Sequence, residues 1–170
     1  MREASALVGD TGTMTRLEPM APSDFDAYIA NLVQHYAASH VRTGRWTAEE
    51  GPRKARAEVD QLLPSGLSTP NHYLFSIIAG EPPTKVGLVW LAIEPRGGFI
   101  YDLEISAPHR RKGYAEEAMR MMEGVTREKG ASTLSLHVFG DNEGARRLYR
   151  RLGYVETNVS MSKSLAGPSG

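Results

Sequence analysis

An α/β fold is what this 170-residue chain predicts, and three observations predict it. The hydrophobic period changes along the chain in the order strand, two helices, two hairpin strands, then strand, helix, strand, helix. A strand over residues 99–105 enters a helix through a short, basic, glycine-containing turn. A second strand and helix follow at once, and such alternation is the mark of layered α/β architecture.

Residues 1–12 are rich in Gly, Thr, Ser and Asp and read as a mobile tail, as do residues 166–170. Residues 13–165 then form a single domain. Residues 15–19 suit a first strand. Ser23 or Asp24 caps a helix that carries Phe25, Tyr28, Ile29, Leu32, Val33 and Tyr36 along one side. Thr47-Ala48-Glu49-Glu50 is a capping box for a second helix, which ends before Pro64-Ser65-Gly66. Strands at 73–78 and 86–93 flank the turn Gly80-Glu81-Pro82-Pro83. Phe99, Ile100, Leu103 and Ile105 make the next strand, and Pro108 stops it because proline has no NH for a ladder. Ala115, Ala118, Met119, Met122 and Val125 give a buried stripe to a helix over 111–129, with Gly130 as its stop. A strand at 133–139, a helix at 142–151 and extended structure at 154–163 complete the order.

With 41% hydrophobic residues the chain can bury one sizeable core. Lys plus Arg equal Asp plus Glu at 20 each, which argues against a general nucleic-acid or membrane-surface binder. No apolar run approaches the roughly 20 residues of a membrane span. Residues 1–13 lack a signal-peptide core, so a cytoplasmic protein is expected. Without cysteine there can be no disulfide, thiolate metal site or Cys nucleophile. His35, His40, His72, His109 and His137 are scattered, with no pair at the spacing of helical metal ligands, so no metal is expected.

The turn after residue 105 carries the chemistry. The first turn of a helix has unsatisfied NH groups and a partial positive charge, which suit a diphosphate. Gly113 lets a ligand approach the backbone, while Arg110, Arg111 and Lys112 supply charge. Taken alone, the same turn also fits a plain solvated connection. A second motif separates the two readings. Arg110, Gly113 and Ala115 match an Arg-x-x-Gly-x-Ala signature; Asn142, Leu148, Tyr149, Gly153 and Tyr154 match an Asn followed seven residues later by Tyr, then Gly-aromatic. Together they resemble the GNAT superfamily of N-acetyltransferases. His35-Tyr36, Gly44-Arg45-Trp46, Leu62-Leu63-Pro64 and Thr69-Pro70-Asn71-His72 resemble its YycN-like bacterial branch.

This resemblance implies a central mixed, largely antiparallel sheet of six to seven strands with about four helices on both faces. The fourth and fifth strands would splay, and acetyl-CoA would lie in the opening as cosubstrate. Its pantetheine would pair with Leu103 and Ile105, its diphosphate with Arg110, Arg111, Lys112, Gly113, Tyr114 and Ala115, and Asn142 would also contact it. The implied reaction is direct transfer of acetyl to a primary amine of a small molecule, peptide or protein. The enzyme would act as a monomer or homodimer, with no nucleic acid or membrane partner. A non-catalytic acyl-CoA-binding or regulatory module on the same fold is the alternative.

Transfer needs a neutral amine, a stabilised oxyanion and a proton for the thiolate. The resemblance implies that Tyr149 is the acid; a place in the core side of its helix is the other reading. For the base, His137 and Glu104 compete, each opposed to apolar neighbours on an alternating strand, with ordered water as the base and a structural role for both as the other readings. Asp102 is a weaker candidate, read as solvent-facing. Tyr36, His40, Arg42, Arg45, Trp46 and His72 could line the acceptor side, or could simply pack.

Overall fold

The computed structural model describes Leu7–Val8, residues 15–161, Lys163 and Leu165. The rest of the two expected tails lies outside the described residues. The chain divides into two compact units, Met1–His137 and Val138–Gly170.

The first unit holds a six-stranded sheet in the order β1 (Leu7–Val8), β2 (Arg16–Pro19), β3 (His72–Ala79), β4 (Thr84–Glu94), β5 (Gly97–Ile105) and β6 (Leu134–Leu136). Five strands stand beside a two-residue one, which pairs Leu7 with Leu17 inside the stretch read as a tail. Because of it, the expected fourth and fifth strands are β5 and β6. Every pairing is antiparallel except the last, β5 with β6, which is parallel.

Helix α1 (Pro22–Arg42) begins earlier than Ser23 or Asp24 would have it, with Ala21 at its cap and no side-chain capping bond. Pro22 explains the start: its fixed φ suits the first helical turn and it has no NH to leave unsatisfied. Helix α2 (Gly51–Leu62) follows the capping box, in which the Glu50 NH donates to Thr47 Oγ1 at 3.3 Å. Met20, Tyr28, Ile29, Val59, Leu63, Leu74 and Trp90 form a core in which α1 and α2 cover one face of the sheet. Helix α3 (Tyr114–Glu128) buries Ala118, Met119, Met122 and Val125 and packs on β2 to β5. It reaches β5 at Gly98, where a Cβ would lie 2.8 Å from Thr126 Cγ2.

Helix α3 starts at Tyr114 rather than Arg111, because Arg111 at φ 64° and Gly113 at φ 88° are both left-handed and cannot continue a right-handed helix. β6 is shorter than the 133–139 expected. In the second unit, α4 (Glu143–Arg151) is capped by Asn142, whose side chain accepts from the Ala145 NH at 3.2 Å. Residues 154–161 form no strand.

Candidate active site

β5 and β6 pair only at Gly98 with Leu134, Phe99 with Ser135 and Ile100 with Leu136. Beyond Ile100 the two strands part, so residues 101–105 keep β4 on one side and, among the described residues, have no strand on the other. The opening therefore begins in the middle of β5.

A bulge sits at the same point. Trp90 pairs with Asp102 and the next residue, Leu91, with Ile100, which leaves Tyr101 as the extra residue of β5. The insertion sets the faces of the strand. Asp102 is opposite Trp90 and Glu104 opposite Leu88, both of which belong to the core under α1 and α2. Tyr101 stacks on Trp90 with ring centroids 4.7 Å apart, so it shares that face. Leu103 and Ile105 alternate to the other side. At Gly87, opposite Ile105, a Cβ would overlap the carbonyl oxygen of Glu104, which keeps β4 tight against this part of β5.

Past Ile105 the chain turns through residues 106–113. Arg110 Nε donates to the Ile105 carbonyl at 2.9 Å, tying the basic turn to the strand end. Gly113 caps α3, and a Cβ built on it meets no heavy atom within 4 Å. The space before the helix is thus open at the residue that the motif requires to be glycine. The first helical bond of α3 is from the Glu117 NH to the Gly113 carbonyl, so the NH groups of Tyr114 and Ala115 have no acceptor within the helix. A strand edge that meets no other described strand, a basic turn and a helix N-terminus suit the amides and diphosphate of acetyl-CoA.

Asp102 is not solvent-facing. It accepts a hydrogen bond from the Tyr28 hydroxyl of α1 at 3.2 Å. Burial pushes its carboxyl up to about 6, helped by the charge of Glu104, while the bonds from Tyr28 and the Leu103 NH and the nearby His35 act against that rise. Burial also raises the Tyr28 phenol well above its ordinary value, so it remains a donor. His137 lies one residue beyond β6, exposed, and its charge acts on His40 of α1. Asp102, Glu104 and His137 are all in the first unit.

The expected acceptor residues are mainly packed. Tyr36 stands edge-on to His40 and Trp46, with centroids at 4.5 and 5.6 Å, and His40 lies tilted against Trp46 at 4.3 Å. Tyr36 donates to Glu58 at 2.6 Å, and Arg45 lies over Trp46. Burial lowers His40, and Arg45 acts in the same direction. His72 Nδ1 accepts from Trp90 Nε1 at 3.0 Å, which fixes its tautomer, and burial lowers it as well. Arg42 closes the last turn of α1.

In the second unit, Tyr149 is half-buried on α4 with its ring edge-on to Tyr154 at 5.8 Å. Glu156 is held by Arg146 at 2.8 Å and by Arg150. Among the described residues, no group of three His, Asp or Glu could hold a metal ion, and no helix is long and apolar enough to cross a membrane.

The contact that the sequence left illegible is that of Asp102 with Tyr28. Tyr28 was legible only as part of an apolar helix side. A phenol in such a row can end on a polar partner, but nothing in the spacing says which.

Comparison with known proteins agrees with this geometry. A model of the acetyltransferase (GNAT) family matches residues 32–154. The chain is 39% identical over 153 residues to YycN of Bacillus subtilis (strain 168), an uncharacterized N-acetyltransferase, covering 88% of this chain and 97% of YycN. The crystal structure of YycN aligns with a TM-score of 0.84 at 38% identity, over 91% of this chain and 100% of that one. YdgE of the same bacterium, also an uncharacterized N-acetyltransferase, is 34% identical over 153 residues, covering 88% of this chain and 97% of YdgE. The spermidine N-acetyltransferase of Vibrio cholerae, solved with CoA and spermine, shares the fold with a TM-score of 0.62 at 20% identity, over 85% of this chain and 82% of that one.

Proposed function

The chain belongs to the GNAT family of acetyltransferases, and on that premise we propose that it moves acetyl from acetyl-CoA to a primary amine by direct attack with both substrates bound. The observation that carries the reading is the half-paired β5, which runs from an open edge into the basic turn and the N-terminus of α3. The acceptor is a small-molecule, peptide or protein amine rather than nucleic acid or a membrane surface, a reading supported by the balance of 20 basic and 20 acidic residues. The compartment proposed is the cytoplasm, and the working form a monomer or homodimer.

The assigned roles follow the chemistry. The backbone of Leu103 and Ile105 takes the pantetheine amides. Arg110, Arg111, Lys112 and Gly113, with the NH groups of Tyr114 and Ala115, take the diphosphate, and the Asn142 amide adds a contact. Backbone groups left free where β6 departs stabilise the oxygen of the attacked carbonyl. A lysine-like amine near pKa 10.4 is almost wholly protonated at neutral pH, and releasing its proton is worth roughly 4 to 5 kcal/mol. His137 and Glu104, with Asp102 behind them, are the bases that the sequence offers for that proton, taken directly or through water. Tyr149 returns one to the departing thiolate.

The test is CoA release, read with a thiol reagent, over peptide N-termini, lysine peptides and polyamines. The cysteine-free chain contributes no background to that signal. At least one amine is expected to raise release above hydrolysis of acetyl-CoA alone. If none does while acetyl-CoA still binds, the transfer reading fails.

A further inference from the structure

We propose that Asp102, held by the Tyr28 hydroxyl, is the group that deprotonates the acceptor amine. The proposal rests on the acetyltransferase reading above and names the base within it.

Three features of position single out Asp102. It is two residues past the last β5–β6 pair, at the mouth of the opening where the thioester would face the acceptor side. The bulge at Tyr101 directs it to the face covered by α1 rather than to the α3 face. Its carboxylate is fixed at 3.2 Å by a buried phenol from α1, so one oxygen is anchored while the group stays a proton acceptor. The competitors lack this setting. Glu104 shares the face without a hydrogen bond of its own among the described residues, and exposed His137 lies beyond the end of β6.

The groups around Asp102 are consistent with a base that works near neutrality. Glu104 on β5 opposes its ionisation, whereas Tyr28 and His35 on α1 favour it. The facing residue of β4 is Trp90, which is uncharged, and the carboxylate of α2 in this region, Glu58, is taken by Tyr36. Burial leaves the carboxyl high enough to accept a proton efficiently, yet ionised above about pH 6.

The step balances. Asp102 takes one proton from the bound ammonium. The neutral nitrogen attacks the carbonyl carbon, a C–N bond forms and the C–S bond breaks. The thiolate leaves with the second nitrogen proton, delivered through the acid, and Asp102 then gives its proton to water. The products are the acetylated amine, CoA thiol and one released proton.

The experiment joins two measurements on the full chain. In the first, carboxylate carbon NMR follows Asp102 through pH in the wild type and in Tyr28→Phe, without acceptor. Loss of the phenol removes a hydrogen bond to the charged form, so the midpoint should rise by about one pH unit. In the second, kcat/KM is followed against pH on the best amine of the panel, with that amine's own ionisation subtracted. Asp102→Asn should lower kcat by about 100-fold or more. Tyr28→Phe should move the acid limb upward by the shift seen in NMR and keep the high-pH plateau, an effect that a merely structural tyrosine would not have. Both variants should keep the melting-temperature rise given by acetyl-CoA, which shows that they fold. An Asp102 midpoint unmoved by Tyr28→Phe overturns the positioning role. An unchanged acid limb in Asp102→Asn overturns the base assignment, whereas absence of turnover by the wild type overturns the enzyme reading instead.

Discussion

Asp102 stores an opposition between stability and use. With its carboxyl held at about 6, the folded protein binds a proton between roughly pH 4 and 6 that the unfolded chain has already released. Stability must therefore fall as pH rises through that window, and the loss persists above it. Asp102→Asn cannot ionise and can still accept from Tyr28. Its melting temperature should exceed that of the wild type at neutral pH, and the difference should close below about pH 4. A variant no more stable at neutral pH would mean that the carboxylate is better solvated than its packing indicates. Tyr149 has the opposite balance. Phenylalanine there preserves the edge-on contact with Tyr154, so Tyr149→Phe should fold normally. If the hydroxyl is the acid, kcat should drop about 10-fold or more with acetyl-CoA affinity unchanged. Single-turnover rates equal to wild type would return Tyr149 to a packing role.

Among the elements, α3 is positioned by a glycine of β5 as well as by its own buried stripe. Gly98 admits the helix to β5, and an added Cβ would stand 2.8 Å from Thr126 Cγ2 and 2.9 Å from Leu134 Cδ1. Gly98→Ala should cost about 1 to 3 kcal/mol through overpacking at a helix–sheet contact. Gly124, on α3 itself, has nothing within 4 Å of an added Cβ, so Gly124→Ala should gain about 0.5 to 1 kcal/mol from helix propensity alone. Urea unfolding of the two variants reads both signs. Equal effects would show that proximity at Gly98 is not what limits the approach of α3. β6 is shorter than its own pattern. Residues 137–139 continue an apolar alternation, yet β5 offers pairing only as far as Ile100.

For the whole molecule, acetyl-CoA is a ligand of the folded state, and at 100 times its Kd it should stabilise by about 2.7 kcal/mol. Gly113→Ala tests where that energy enters. The new methyl meets no protein atom, so its cost to the apo protein is that of the left-handed φ of 88°, about 1 to 2 kcal/mol. With the diphosphate bound as proposed, the methyl would occupy its space. The variant should therefore melt slightly lower and lose most of the acetyl-CoA shift. A full shift in Gly113→Ala would place the diphosphate elsewhere.

The order of elements from β2 to α4 and the basic turn with its glycine were determined by the sequence itself, because they rest on local period, proline and glycine chemistry, and contiguous spacing. So was the family, through residues 110–115 and 142–154. What only tertiary structure decided is which side chains meet. Alternation along β5 reads as strict period two, but the bulge at Tyr101 adds a residue and brings Tyr101 and Asp102 to the same face. The partner of Asp102 lies 74 residues away on α1, a pairing no local pattern encodes. Likewise, the start of α3 was read three residues early, since a left-handed Arg111 has no sequence mark of its own. Spacing can say that a carboxylate is present on a strand; only the packing of another element against that strand decides whether it meets water or a buried phenol, and hence what proton chemistry it can do.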